Sequence, residues 1–398
     1  MAQILIGFAE AVPTPEVIYS LLDVGYDIRV FSRRGAGAPL LKWLPVGDPI
    51  FVTSPEEDIE AARRDLANAL LGPDAPDAIF ALDDPGLWLV NRVLSELPDG
   101  AVQAVHATGA AADIALDKIR QIEAARTAGL AVPETLVAYK PEDLQAVRTL
   151  PAIVKPALAE QAVAGQLSRG RVHYLLDPRE LTRLLEASET ITFPALIQPL
   201  VHGIGEGVFG FATKNGVVNW MGHERVRMMN PHGSGSSACR SLSPDAETRA
   251  KCAAMIQAIG WRGPFMIELL RGQDGRRWFM ELNGRMWGSL ALARRTGFDY
   301  PAWAVAQSRD ADFVPPQVPP PPEPILMRHL GRELVHLLFV LRGPKSTFHR
   351  QSWPRFWSSL LGVLKPGPWN SFYNYDKRFP RFFWADAWSV IRSKLGRG

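Results

Sequence analysis

Cysteine is nearly missing from this chain: its 398 residues hold only Cys239 and Cys252. Two thiols are too few for a disulfide framework or a cysteine-built zinc site, and they favour a reducing compartment, with the cytoplasm as the default expectation. Long apolar runs are missing as well. The longest candidate, LVHLLFVL at 334–341, contains His336 and falls far short of the ~20 residues a membrane-crossing helix needs. The opening MAQILIGFA passes straight into an apolar strand without a basic stretch or a cleavage site, so no secretory leader is expected. A third absence is the G-x-G-x-x-G fingerprint after that first strand, which argues against dinucleotide binding there.

What is present is a globular composition, 47% hydrophobic and 21% charged, in a chain long enough for two or three compact domains. QILIGFA, PTPEVIYSLLDVGY and DIRVFSRRG read as strand, helix and strand; EEDIEAARRDLANALL, DAIFALDD and GLWLVNRVLSEL read as helix, strand and helix. Strands alternating with helices of this length predict a parallel, Rossmann-like α/β domain ending near residue 107. TGAAADIALDKIRQIEAARTAG then reads as a helix containing Asp117 and Lys118 and stopping at Gly129.

Further along, LPAIVKPAL delivers Lys155 at the end of an apolar strand, just before Pro156. This reads as a cation aimed at phosphate, or alternatively as a solvent-facing strand end. Residues 203–229 read as consecutive antiparallel strands with a turn at Lys214, Asn215 and Gly216. Residues 262–285 present two strands around a turn at Gln273, Asp274 and Gly275. If that hairpin closes, Glu268 lies opposite Glu281, on the face shared by Asn283 and Arg285. Two converging carboxylates and an amide oxygen repel unless cations sit between them, and hard oxygen ligands suit Mg²⁺ with phosphates completing its shell. The alternative is a wet sheet face whose carboxylates pair with Arg276 or Arg277.

Charge is unevenly distributed. From Arg328 onward there are 13 Lys and Arg against 3 Asp and Glu, a local +10, while the remainder carries −7. The same tail holds Trp353, Trp357, Trp369, Trp384 and Trp388. It reads as an amphipathic helical cap with its basic face in water, or as a contact for an anionic membrane or polyanion. VPPQVPPPPEP at 314–324 reads as a semi-rigid linker into it.

With Lys118, Lys155, Glu268, Glu281, Asn283 and Arg285 in this order, the chain resembles the ATP-grasp superfamily, in particular its carboxylate-amine ligase-like branch. The likeness runs from about residue 1 to 310, and ELNGRMWGSLALARRTGFDYPAW is its most specific part. HERVRMMNPHGSGSS resembles the family segment in which basic residues and a Gly/Ser loop approach phosphates and acceptor. The resemblance implies a Rossmann-like N-terminal (pre-ATP-grasp) domain at 1–107 and a two-lobed α+β ATP-grasp domain with lobes at 108–195 and 196–313. The linker at 314–324 and a helical C-terminal extension at 325–398 follow. It further implies ATP with Mg²⁺ or Mn²⁺. Lys118 and Lys155 would contact phosphates, Gln198, Leu200 and Val201 would line the adenine hinge, and Glu206 would meet the ribose. Glu268, Glu281 and Asn283 would hold the metal, Arg285 would stabilise the transferred phosphoryl group and the acyl phosphate, and Arg225 and Arg227 would be further cations near the substrate. The loop after Lys155 has fewer glycines than in many relatives, and Gly284 stands where many have proline.

The expected reaction is carboxylate phosphorylation to an acyl phosphate, then attack by an amine, releasing ADP and phosphate. His223 is a candidate to take the amine proton, or to orient substrate. The alternatives are a phosphotransferase that stops at phosphorylation and a non-catalytic ATP-binding regulatory protein. The expected partners are a small carboxylate and a small amine, with no nucleic acid. The location expected is cytoplasmic, with peripheral contact at the inner membrane face if the tail docks there.

Overall fold

Five short strands form the first sheet: β1 (Gln3–Gly7), β2 (Asp27–Arg33), β3 (Ile50–Val52), β4 (Ala78–Ala81) and β5 (Gln103–Ala104). Their order is β3-β2-β1-β4-β5 and every neighbouring pair is parallel, as the strand–helix alternation predicts. The computed structural model describes residues 2–35, 40–345, 350 and 353–395; the parts of the C-terminal extension at 346–349, 351–352 and 396–398 lie outside the described residues. Ile4, Ile6 and Phe80 enter one apolar cluster while Leu5, Ile79 and Phe31 enter the other, so the sheet is covered on both faces. Of the intervening helices, Thr14–Asp23, Ile59–Leu71 and Asp84–Leu94, the second and third start at side-chain caps. Asp58 accepts from the Ala61 N–H and Asp83 from the Gly86 N–H.

The helix expected around Asp117 is instead two, Gly109–Leu116 and Lys118–Thr127. Asp117 takes an extended conformation and caps the second helix by accepting from the N–H groups of Ile119 and Arg120. The Lys118 N–H then donates to the Ala157 carbonyl at 2.8 Å, which ties this helix start to the strand that carries Lys155.

That strand is β7 (Ala152–Pro156), in a four-stranded antiparallel sheet with β6 (Leu136–Ala138), β10 (His173–Leu175) and β11 (Ala195–Pro199). A separate hairpin, β8 (Gln161–Val163) and β9 (Gln166–Ser168), rises from the loop after Lys155. The third sheet has six strands: β12 (Ile204–Thr213), β13 (Gly216–Asn230), β14 (Ser234–Leu242), β15 (Gly263–Arg271), β16 (Arg277–Asn283) and β17 (Leu326–Arg328). Their order is β16-β15-β12-β13-β14-β17. The Gly/Ser segment that reads as a loop in the sequence is largely β14, paired along β13.

The C-terminal extension adds β17 to the edge of this sheet and then, among the described residues, the helices Leu330–Arg342, Phe356–Leu364 and Pro380–Leu395. No described helix is long and apolar enough to cross a membrane. The proline stretch is held along the sheet by Asn219, whose side chain donates to the Pro316 carbonyl and accepts from the Val318 N–H. Glu16 fastens the extension to the first domain: its buried carboxylate accepts from Arg294 at 2.7 Å and from the Asn374 N–H at 2.9 Å. Removing one partner of a buried pair strands the other, so Glu16→Ala should destabilise the fold by roughly 3–5 kcal/mol. Chemical denaturation followed by tryptophan fluorescence checks this; an unchanged midpoint would mean that Glu16 is not a fastening.

Candidate active site

The β15–β16 hairpin closes in the predicted register, with Glu268 paired directly to Glu281 and Met266 to Asn283. Neighbours two apart on a strand share a face, so both carboxylates and the Asn283 amide meet on one side of the sheet. Arg225 on β13 donates to Glu268 at 2.7 Å. Glu281 makes no hydrogen bond or ion pair with any described residue. Asn283 donates weakly to the Met266 sulfur at 3.5 Å. Burial raises the Glu268 carboxyl above its ordinary value; Arg225 opposes that and Glu281 adds to it.

Glu268 and Glu281 stand in the wall common to two cavities. The smaller, about 230 Å³, is lined by Lys118, Lys155, Arg169 and Gly170. Lys155 is not a solvent-facing strand end: burial pulls its ammonium down to about 8, against the attraction of Glu281 and Glu268. The larger cavity, about 530 Å³, receives Arg225, Arg285, Arg332 and Asn283 from one side. Gly284 lets β16 leave the sheet pressed against the first domain, since a Cβ there would fall 2.6 Å from Ala115 and 2.7 Å from Leu87. The next residue, Arg285, thereby reaches Asp84 at 3.2 Å. Burial works against the Asp84 charge, but Arg285, Arg169 and Lys118 together hold its carboxyl below the usual range.

The opposite side of the larger cavity is the carboxyl edge of the parallel sheet, where ligands gather in open α/β folds. Arg33 there is surrounded by Glu56 at 2.9 Å, Asp83 at 3.1 Å and Glu10 at 3.7 Å. Glu160, from the loop after Lys155, joins this acidic end. It is 5% exposed, its Oε1 has no hydrogen-bond partner, and burial raises its carboxyl to about 7 against the pull of Arg169. Reading the sequence missed Arg33, Asp83, Glu10, Glu56 and Glu160. Four of them lie at or just beyond the ends of parallel strands, which is the signal that would have found them.

The remaining candidates divide. His223 lines the larger cavity, buried, with Nδ1 2.7 Å from the Ser289 hydroxyl and Nε2 unpartnered. Burial, then Arg225, depresses it to about 3, so it is neutral and a weak proton acceptor, suited to orienting substrate. Arg227 does not join Arg225. The β13–β14 register shifts between Arg225 and Arg227, and the guanidinium of Arg227 turns away to grip Glu333 at 2.7 Å. Glu206 is likewise enclosed, 1% exposed, with one oxygen on Arg271 and the other on Arg277, so it is not open to a ribose. Gln198, Leu200 and Val201 do fall at the crossing from the second sheet to the third. There the Gln198 amide donates to Thr135, and the Leu200 N–H is spent on the Pro151 carbonyl.

Among the described residues no cluster of three or more His, Cys, Asp or Glu could hold a metal on its own. Two carboxylates and an amide oxygen, one carboxylate without a protein partner, fit a hard divalent cation that takes its other ligands from phosphate.

This arrangement of sheets, with a carboxylate-bearing hairpin facing the strand that carries Lys155, is similar in fold to ATP-grasp proteins of known structure. It is similar to an L-amino acid ligase from Bacillus licheniformis (16% identity, TM-score 0.60, covering 78% of this chain and 74% of that one). It is similar too to a biotin carboxylase from Campylobacter jejuni (14%, 0.61, 82% and 75%). A third similar structure is an N5-carboxyaminoimidazole synthetase from Staphylococcus aureus complexed with ADP (15%, 0.60, 82% and 82%). No family model matches the sequence, and no curated protein matches it significantly.

Glu160 supplies a test of the acidic end. The folded chain keeps its proton up to about 7 while an unfolded glutamate releases it near 4.5, so stability should fall as pH rises through that window. Glu160→Gln should flatten that part of the profile of thermal midpoint against pH; an unaltered slope would place Glu160 in water.

Proposed function

We propose that the protein is an ATP-dependent ligase that joins a carboxylate to an amine through an acyl phosphate, releasing ADP and phosphate. The observation that carries the reading is the position of the Glu268–Glu281 pair between a lysine-lined cavity and an arginine-lined one. The fold shared with the L-amino acid ligase and with the ADP-bound synthetase supports it.

The nucleotide phosphates lie in the smaller cavity against Lys118 and Lys155, whose dry environment strengthens each contact. Adenine lies at the crossing formed by Gln198 to Val201, with the Val201 backbone as its remaining donor. Glu268, Glu281 and Asn283 would hold a magnesium ion, which would supply charge neutralisation to the phosphates. The acid substrate enters the larger cavity with its carboxylate toward Arg225 and Arg285, and one oxygen attacks the γ-phosphorus as ADP leaves. Arg285 stays with the acyl phosphate; Asp84 holds its guanidinium in place. The amine binds at the opposite end, among Glu10, Asp83 and Glu160, and attacks the acyl carbon while phosphate departs. Glu160, with its raised proton affinity, is better matched to accept the amine proton than His223.

Mg²⁺-dependent ADP release by the purified protein, measured against panels of acids and amines, tests this. Release requiring both substrates, and reduced about 100-fold in Glu281→Ala, is expected. Release with an acid alone, together with a stable phosphorylated product, would indicate a phosphotransferase instead.

A further inference from the structure

The C-terminal extension turns an apolar face outward. Helix Phe356–Leu364, sequence FWSSLLGVL, buries its small and polar side: Ser359 contacts His336, and the Gly362 carbonyl faces Arg227. Its other side carries Trp357, Leu361 and Leu364, spaced four and three residues apart and 72%, 71% and 66% exposed. This is the reverse of what a helix packed on a soluble core does with its apolar stripe. Five residues past Leu364 comes Trp369, whose ring lies 6.1 Å from that of Trp384; Trp388 follows one helical turn later and is 61% exposed. These helices flank Leu330–Arg342, which itself leaves Leu341 exposed. Trp357, Leu361 and Leu364 thus make one exposed apolar patch, and Trp369, Trp384 and Trp388 a second, beyond the scattered single exposures normal on a protein surface.

Charge names what covers them. No Asp or Glu occurs between Glu333 and Asp376. Arg355, Lys365, Lys377 and Arg392 are exposed, and none is ion-paired to a described residue. Tryptophan rings with cations at their margin match the boundary of a bilayer, where the rings sit at headgroup depth and the cations meet anionic lipid. A soluble polyanion would use the cations and leave the tryptophans and leucines without a role. We infer that this face docks on an anionic lipid surface, so that the protein works as a peripheral membrane protein. The inference is independent of the proposed reaction, since none of these residues lines either cavity.

The test is co-sedimentation of the full-length protein with vesicles of phosphatidylcholine alone and of phosphatidylcholine mixed with phosphatidylglycerol. Tryptophan emission and its quenching by brominated lipid are followed in parallel. Binding to the mixed vesicles, with blue-shifted and quenched emission, is expected. Trp357→Ser combined with Leu361→Ser should abolish quenching at these positions and release the protein, with an unchanged thermal midpoint. Lys365→Gln and Lys377→Gln should weaken binding about fivefold each at low salt. Heparin binding without a spectral shift on vesicles would assign the face to a soluble polyanion and overturn the inference. Equal vesicle binding by the Trp357/Leu361 variant would overturn it too.

Discussion

Two carboxylates set against each other across one antiparallel hairpin are the constraint on which the rest of the site depends. Cross-strand neighbours of like charge destabilise a sheet, and burial makes the charge costlier still. The chain offsets only part of this, through Arg225 on Glu268 and the attraction of Lys155 and Arg285, and leaves Glu281 with no hydrogen bond or ion pair among the described residues. The surrounding groups follow from that deficit. Lys155 approaches from a second sheet and Lys118 from a helix start, Arg225 from the third sheet and Arg285 from just beyond it, and the cavities they line meet at the carboxylates. A site that is uncomfortable when empty is one that a cation and phosphates can complete.

The hairpin was legible because each of its signals is local. Alternation fixes the face, and Gln273-Asp274-Gly275 fixes the turn, so register follows. The parallel sheet was legible for the same reason, from strands and helices of regular length. What could not be read was assembly between distant elements. Nothing near Glu160 in sequence announces that it will join Asp83 and Glu56 at one end of a cavity. The break at Asp117 hides inside a helical pattern because a single extended capping residue leaves the periodicity on either side nearly intact.

Arg225 and Arg227 show how a sound periodic argument fails. Two residues apart on a strand, they should share a face, but the β13–β14 pairing shifts on either side of Arg227 and the second arginine is aimed at Glu333. That carboxylate belongs to the C-terminal extension, so an arginine expected beside the reacting groups became part of the extension's attachment. The extension's basic character is similarly split. Arg328 is buried within the extension, donating to the Val363 and Lys365 carbonyls, and Arg332 donates to Ser236 of the body, whereas Arg355, Lys365 and Lys377 remain exposed.

The central claim is that Glu268, Glu281 and Asn283 hold a divalent cation together with nucleotide phosphates. Electron paramagnetic resonance of Mn²⁺ tests it without any knowledge of the acid or amine. Adding a non-hydrolysable ATP analogue to the protein should remove free Mn²⁺ signal beyond what the analogue and the protein each bind alone, and Glu281→Ala should abolish that excess. Equal excess binding by the variant, or none by the parent protein, would contradict the claim.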